Sequence, residues 1–217
     1  MKIFLLSDTS NPRKDLKKRL SQLINDFGNE IAYISSTPQT LPYYWFNNSL
    51  NDYKAINSKI NLTYFDLSEK FSDEQLLKIQ QFRIIHLSGG NTFQFIDYIR
   101  KRNFGTIIEG FLQDKLIIGV SAGAIILTPT IKIACIEDEN TIGLEELTGL
   151  SLVDFEFFPH FNGSKEQIEP LTKQENYNLR KIFYANDEEG VFVDEGKIMT
   201  FGGHFGRGTR LRILSNL

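Results

Sequence analysis

The stretch Leu116-Ile117-Ile118-Gly119-Val120-Ser121-Ala122-Gly123 decides the fold. It begins with an apolar run, places Ser121 between small residues, and continues into residues that favour a helix. This order predicts a buried strand, a sharp turn that carries the serine, and a helix, which together form a nucleophile elbow. Small residues suit such a turn because its strained backbone leaves no room for bulky neighbours. The same pattern also fits a plain turn between a strand and a helix.

The rest of the chain alternates short apolar runs with segments of helical spacing. Residues 3–7 predict a buried strand, and residues 14–27 place their apolar side chains on one helical face. Residues 72–80 predict a capped helix, whereas the aromatic stretch 41–50 predicts a loop or a short helix. Such alternation favours a doubly wound, mostly parallel α/β sheet with helices on both faces. Because no linker divides the 217 residues, we expect a single domain spanning residues 1–217.

Charge and composition exclude several classes of function. The formal net charge is −3 and there is no long basic stretch, so no nucleic-acid partner is expected. Cys135 is the only cysteine, which excludes an intrachain disulfide and a thiolate metal cluster. The apolar run at the N-terminus is too short for a signal peptide, and no apolar stretch is long enough to span a membrane. We therefore expect a cytoplasmic protein without a membrane partner.

A serine nucleophile needs a base, and the chain offers three histidines. Histidine suits the role because its unperturbed pKa of about 6.5 lets it accept and return a proton near neutral pH. His86 lies within an apolar strand and is expected to be buried and hydrogen-bonded. His160 follows an apolar run and a proline, where an active-site loop is expected, and it is the favoured base. His204, in a glycine-rich turn, would be the base in an esterase with the triad order serine, acid, histidine.

Two acidic clusters and two backbone donors complete the candidate site. Residues 137–139 and 187–189 each offer carboxylates that could orient the histidine, and the residues alone do not choose between the clusters. The N–H of Ala122 follows the serine at a helix N-terminus, and the N–H of Gly90 follows an apolar strand. Because ligands bind at the carboxyl ends of the strands in such folds, both N–H groups are candidate oxyanion donors.

Four separated motifs resemble, in the same order, those of the peptidase E (aspartyl dipeptidase) and cyanophycinase family of serine peptidases. The resemblance implies a class I glutamine amidotransferase-like (flavodoxin-like) fold, a peptide substrate, and no metal or organic cofactor. The motifs are Leu87-Ser88-Gly89-Gly90-Asn91-Thr92-Phe93-Gln94, Ile118-Gly119-Val120-Ser121-Ala122-Gly123-Ala124 with Pro129-Thr130-Ile131, Phe158-Pro159-His160-Phe161, and Asp187-Glu188 with the hairpin-like stretch up to Gly203.

The resemblance also implies a role for each matching residue. Ser121 matches the nucleophile, His160 the base and Glu188 the acid, with Asp138 as the reserve acid. Gly90 and Ala122 match the oxyanion donors, and Asn91 is expected to bind substrate.

Substrate preference is where the chain departs from the family pattern. Aspartyl dipeptidases resemble one another in having an arginine after the Pro-His-Phe motif that pairs with an N-terminal aspartate. Residues 169–176 hold no arginine, and Lys173, expected to bind substrate in its place, lacks the bidentate guanidinium fork.

The sequence therefore predicts a serine exopeptidase, dipeptidase-like, that acts on short peptides as a monomer or homodimer. N-terminal aspartate is one candidate specificity. Three alternatives remain open: an esterase that uses the same elbow, a hydrolase of β-aspartyl or cyanophycin-like peptides, and a non-catalytic protein that binds a small metabolite.

Overall fold

Five parallel strands and two antiparallel strands form the main sheet of the computed structural model, which describes residues 1–36, 43–67, 72–110, 113–170 and 181–206. The strand order is β3-β2-β4-β5-β1-β8-β9, and the last two strands run antiparallel to their neighbours. A second sheet has the order β10-β7-β6. The strands are β1 (Lys2–Leu6), β2 (Glu30–Ser35), β3 (Asn61–Asp66), β4 (Ile84–Leu87), β5 (Leu116–Val120), β6 (Glu156–Phe158), β7 (Ile182–Tyr184), β8 (Gly190–Asp194), β9 (Lys197–Phe201) and β10 (His204–Gly206).

The helices lie between the strands, as the alternating pattern predicts. The bounds of α1 coincide with the predicted segment 14–27, and α3 begins where predicted, with Ser72 and Gln75 forming a capping box. In the described ranges, no helix combines the length and apolar character needed to cross a membrane. The helices are α1 (Lys14–Phe27), α2 (Tyr44–Ile56), α3 (Asp73–Gln80), α4 (Thr92–Lys101), α5 (Phe104–Gly110) and α6 (Ala122–Ile125), with a 3₁₀ helix at Lys132–Ile136 and helical residues at 165–170.

Two apolar layers, one on each face of the main sheet, form the core. Alternate residues of β1 divide between them, because side chains of a strand point to opposite faces. Ile3 and Leu5 pack in the layer that holds buried side chains of α3, α4 and α5, whereas Phe4 and Leu6 pack in the layer with α1 and α2. All four side chains are fully buried. The predicted doubly wound, mostly parallel sheet is therefore confirmed.

The aromatic segment is helical in the part that the structure describes. Of the predicted loop and short helix, the helix forms, and α2 runs without a break from Tyr44 to Ile56. Phe46, Leu50 and Tyr53 recur at helical spacing and pack on the sheet, where Phe46 contacts Tyr33 edge-on with ring centroids 5.3 Å apart. Tertiary packing thus selects the helix over the weak local preference of its polar and aromatic residues. Residues 41 and 42 lie outside the described ranges.

Strand order brings separate motifs to one edge of the sheet. β4, β5 and β1 are parallel neighbours, so their carboxyl ends meet at the same edge. β8 runs antiparallel to β1 with Gly190 opposite Leu6, so the residues just before β8 lie at that edge too. β6 and β7 are parallel, and the N–H of Phe161 donates to the carbonyl of Ala185 at 2.9 Å just beyond both strands.

The backbone of Gly123 packs closely against the end of β4. Its N–H donates to the carbonyl of Ser88 at 3.0 Å, and a Cβ added to Gly123 would overlap the carbonyl of Leu87. We expect Gly123→Ala to lower the free energy of unfolding by about 2 kcal/mol or more, because backbone rather than a flexible side chain must move. Urea denaturation followed by circular dichroism measures this loss.

Gly110→Ala is the matched control. A Cβ at Gly110 would meet nothing within 4 Å, so this helical position should be neutral or gain up to about 1 kcal/mol. Equal denaturation midpoints for the two variants would contradict the close approach at Gly123.

Candidate active site

Ser121 occupies the sharp turn that its surroundings predict. It directly follows β5 and has φ 51° and ψ −116°, a left-handed backbone conformation that costs a non-glycine residue free energy. Its N–H donates to the carbonyl of Leu6 at 2.9 Å, and its carbonyl accepts from Ala124 and Ile125 in the first turn of α6. The surrounding backbone therefore holds the strained residue in place.

His160 lies against Ser121, just beyond β6. Its Nε2 is 2.9 Å from the Oγ of Ser121, within hydrogen-bond distance. The residue has φ 55°, its N–H donates to the Oγ of Ser7 at 2.8 Å, and its carbonyl accepts from Gln167 at 2.9 Å. The imidazole is thus held by its own backbone in a second left-handed position.

Asp187, not Glu188, contacts the other ring nitrogen of His160. Oδ1 of Asp187 lies 2.5 Å from Nδ1, whereas Oε1 of Glu188 accepts from the side chain of Asn11 at 3.1 Å. The prediction that Glu188 would orient His160 is therefore wrong by one residue. The cause is a tight turn in which Asn186 accepts from the N–H of Glu188 at 2.9 Å, so that consecutive side chains point in different directions.

Ser7 joins the same hydrogen-bond network, and sequence reasoning gave it no role in the site. It is fully buried, donates its hydroxyl to Oδ1 of Asp187 at 3.1 Å and accepts from the N–H of His160. The available signal was its place at the carboxyl end of β1, the strand next to the one that carries Ser121. A polar residue there faces the edge at which such folds bind ligands.

Asp138 and Asn91 both lie at the N-terminus of α4. Asp138 accepts from the N–H of Thr92 at 2.8 Å, and Asn91 accepts from the N–H of Gln94 at 3.1 Å, so both cap α4. The amide of Asn91 also donates to the carbonyl of Glu139 at 2.9 Å. The structure does not bring Asp138 to His160 or Ser121, which corrects the predicted reserve acid, whereas substrate binding by Asn91 stays a prediction. Lys173 lies outside the described residues.

Gly90 lines the same cavity as Ser121, and Ala122 directly follows the serine in the chain. Neither backbone N–H has a hydrogen-bond acceptor within the described part of the chain. The carbonyl of Gly89 accepts from Ser36 at 2.5 Å and from Ser88 at 3.0 Å. In a trans peptide the C=O and N–H groups point in opposite directions. Because the carbonyl of Gly89 points toward the hydroxyls of Ser36 and Ser88, the N–H of Gly90 points away from those two hydroxyls.

Two cavities meet at His160. One of about 730 Å³ reaches Ser121 and is walled by α2, by the residues after β1 and by the loop after β4. The other, of about 690 Å³, lies on the side of Asp187 and includes His204. The ring of His204 stacks on Tyr184 with centroids 5.1 Å apart, and of the three histidines only His160 lies within hydrogen-bond distance of the Ser121 side chain. The predicted alternative with His204 as the base therefore lacks the required contact.

His86 is buried, as predicted, and lines the first cavity. Its Nδ1 lies 2.9 Å from the hydroxyl of Tyr53, and its ring stacks on Tyr33 with centroids 4.7 Å apart. Burial lowers the pKa of His86 to about 3, so the imidazole is neutral at physiological pH. Across the described ranges, no three His, Cys, Asp or Glu side chains converge in a group that could hold a metal ion.

Known proteins resemble the chain in both sequence and structure. An uncharacterized peptidase of Listeria monocytogenes, Lmo0363, is 27% identical over 139 residues, which cover 62% of this chain and 68% of the relative. An uncharacterized peptidase of Pasteurella multocida, PM1590, is 34% identical over 99 residues, covering 44% of this chain and 48% of the relative.

Two solved structures share the fold over nearly the whole chain. One, from Listeria monocytogenes EGD-e, is described as "a Putative Peptidase E Protein"; it matches with a TM-score of 0.73 and 21% identity over 92% of this chain and 97% of its own. The other, a peptidase from an acI-B1 Actinobacterium, matches with a TM-score of 0.60 and 11% identity, covering 96% and 95% of the two chains.

The family model of peptidase family S51 matches residues 3–204. That span includes the elbow, the histidine that contacts it and the carboxylate that contacts the histidine. The chain therefore belongs to peptidase family S51 and is a serine-type peptidase.

Proposed function

We propose that the chain is an exopeptidase that hydrolyses short peptides, with Ser121, His160 and Asp187 as its catalytic residues. One observation carries the proposal: a continuous hydrogen-bonded line joins the three side chains, with 2.5 Å between Asp187 and Nδ1 and 2.9 Å between Nε2 and Oγ. This order of carboxylate, imidazole and hydroxyl is what activates a serine for acyl transfer.

The first half of the reaction forms an acyl-enzyme. Oγ of Ser121 attacks the scissile carbonyl while Nε2 of His160 takes the hydroxyl proton. Nδ1–H then points at Asp187, whose negative charge stabilises the imidazolium. The N–H groups of Gly90 and Ala122 are the candidate donors for the tetrahedral oxyanion, each contributing about 3 kcal/mol.

The second half returns the proton and frees the enzyme. Nε2–H of His160 protonates the leaving amine as the peptide C–N bond breaks. Water then enters, gives a proton to Nε2 and attacks the ester carbonyl, and the acid product leaves as Ser121 regains its proton. The same imidazole serves as base and acid in both halves.

The cavity supports a short substrate. Its volume of about 730 Å³ falls in the range of about 300–1,000 Å³ that is usual for small-molecule sites, and α2 walls one side. A peptide of two or three residues fills such a space, whereas a folded protein substrate needs an open groove. The resemblance to aspartyl dipeptidases supports the same size class.

Replacing the nucleophile tests the proposal directly. We expect Ser121→Ala and His160→Ala each to lower kcat for a dipeptide library by at least about 10³-fold, because each removes a member of the acyl-transfer unit. Labelling by a fluorophosphonate probe should disappear in Ser121→Ala. His204→Ala is the matched control and should stay within about threefold of wild type. Hydrolysis retained by Ser121→Ala would overturn the proposal.

Substitutions at Asp187 and Glu188 test which of these two adjacent carboxylates orients His160. We expect Asp187→Asn to lower kcat by about 10³-fold or more, since the amide cannot stabilise the imidazolium. Glu188→Gln should keep kcat within about threefold, because its side chain bonds to Asn11. Steady-state kinetics on one cleaved dipeptide measures both, and the reverse ranking would restore Glu188 as the acid.

Ser7 is expected to act by positioning its two partners. Ser7→Ala removes the acceptor for the N–H of His160 and the donor to Asp187, so we expect kcat to fall about tenfold with KM within about threefold. Kinetics and thermal denaturation are compared on the same preparation. A loss of melting temperature with unchanged kcat would show that Ser7 only stabilises the fold.

A further inference from the structure

The described wall of the cavity beside Ser121 contains acidic side chains and no lysine or arginine. Its acidic residues are Asp8 and Asp52. His86 is held neutral by burial. The other lining group that can carry a positive charge is His160 itself, which the proposed reaction uses. A substrate that enters therefore meets two carboxylates and no fixed cation within the described wall.

Among the described residues, no cationic side chain pairs with either carboxylate. Asp52, on α2, accepts from the hydroxyl of Thr9 at 3.0 Å, and Asp8 accepts from the N–H of Ser10 at 2.7 Å. Each bond engages one oxygen, and neither residue forms an ion pair within the described chain. The second oxygen of each carboxylate thus keeps its capacity to accept a hydrogen bond.

The two acidic groups also disfavour each other. Burial raises the pKa of Asp52, the charge of Asp8 raises it further, and the hydrogen bond from Thr9 opposes both effects. A cation between the two side chains would offset the burial and the repulsion together, whereas an added anion would increase the repulsion.

Another part of the wall also suits a cation. Trp45 is 66% exposed and lines the cavity, and the face of such a ring attracts ammonium and guanidinium groups. The ring of His86 is 1% exposed, and its Nδ1 lies within hydrogen-bond distance of the hydroxyl of Tyr53.

We propose that this cavity binds a cationic nitrogen of the peptide substrate at Asp8 and Asp52, and that the enzyme therefore favours positively charged substrates over those with N-terminal aspartate. The inference rests on the proposed peptidase function and specifies its substrate class. The nitrogen is either the free α-ammonium of the peptide or the side chain of a lysine or arginine that precedes the scissile bond. The carboxylates of Asp8 and Asp52 would instead repel an aspartate side chain of the substrate, which lowers the affinity for such a peptide.

Matched dipeptides separate the two sources of the charge. Lys-Leu and norleucyl-Leu differ in the side-chain ammonium, the N-acetylated forms of both lack the α-ammonium, and Asp-Leu reverses the side-chain charge. Released leucine gives kcat/KM for each. We expect Asp-Leu to be at least about tenfold poorer than Lys-Leu. A Lys-Leu advantage over norleucyl-Leu assigns the side chain, and loss on acetylation with no such advantage assigns the α-ammonium.

Variants connect the preference to the two carboxylates. Asp52→Asn and Asp8→Asn are isosteric, keep an oxygen for Thr9 and Ser10, and should each reduce the ratio of Lys-Leu to Asp-Leu by about fivefold or more. Asp26→Asn, on the exposed face of α1, is the matched control and should leave the ratio unchanged. A faster reaction with Asp-Leu, or a ratio that neither cavity variant changes, would overturn the proposal.

Binding to the Ser121→Ala variant keeps this test independent of the catalytic one. Calorimetry with Lys-Leu, norleucyl-Leu and Asp-Leu measures affinity when no bond is cleaved. If wild type hydrolyses nothing while Ser121→Ala binds Lys-Leu more tightly than Asp-Leu, the exopeptidase proposal fails and the cation site stands. Equal or reversed affinities overturn the cation site even where hydrolysis is observed.

Discussion

Two backbone hydrogen bonds across the elbow hold the rest of the site together. The N–H of Ser121 donates to the carbonyl of Leu6, at the end of β1, and the N–H of Gly123 donates to that of Ser88, just after β4. The turn is thereby tied to the strands on both of its sides. A left-handed serine persists only when its surroundings over-determine it, and these two bonds supply that constraint. The positions of the neighbouring loops follow from the same contacts.

His160 reaches Ser121 from a different sheet. His160 lies just beyond the end of β6, at the edge of the second sheet. β6 pairs with β7, and the N–H of Phe161 donates to the carbonyl of Ala185 just beyond both strands, so the two strands end side by side. Asp187 follows β7 by three residues and precedes β8, which belongs to the main sheet. The chain thus crosses from one sheet to the other within the segment that supplies the carboxylate, and Ser7 fastens that segment to β1.

Sequence reasoning succeeded where the local pattern determines the structure. The elbow, the bounds of α1 and the cap at Ser72 each depend on residues close together in the chain, and so does the burial of His86. It left open whether residues 41–50 form a loop or a short helix, because packing of Phe46 and Tyr53 on the sheet, rather than local preference, selects α2. It also chose Glu188 over its neighbour, because which of two adjacent carboxylates faces His160 depends on a turn set by Asn186. Sheet order brings Ser7 to His160 over a separation of 153 residues, which no short pattern records.

The peptide between Gly89 and Gly90 has a consequence for how the site meets its substrate. Its carbonyl is held by two hydroxyls, from Ser36 and Ser88, and both serines are buried. Rotating this peptide by half a turn would break both of these hydrogen bonds at once. The folded structure therefore holds this peptide in one orientation. An enzyme that arranges its polar groups in advance spends no reorganisation energy as negative charge develops on the substrate.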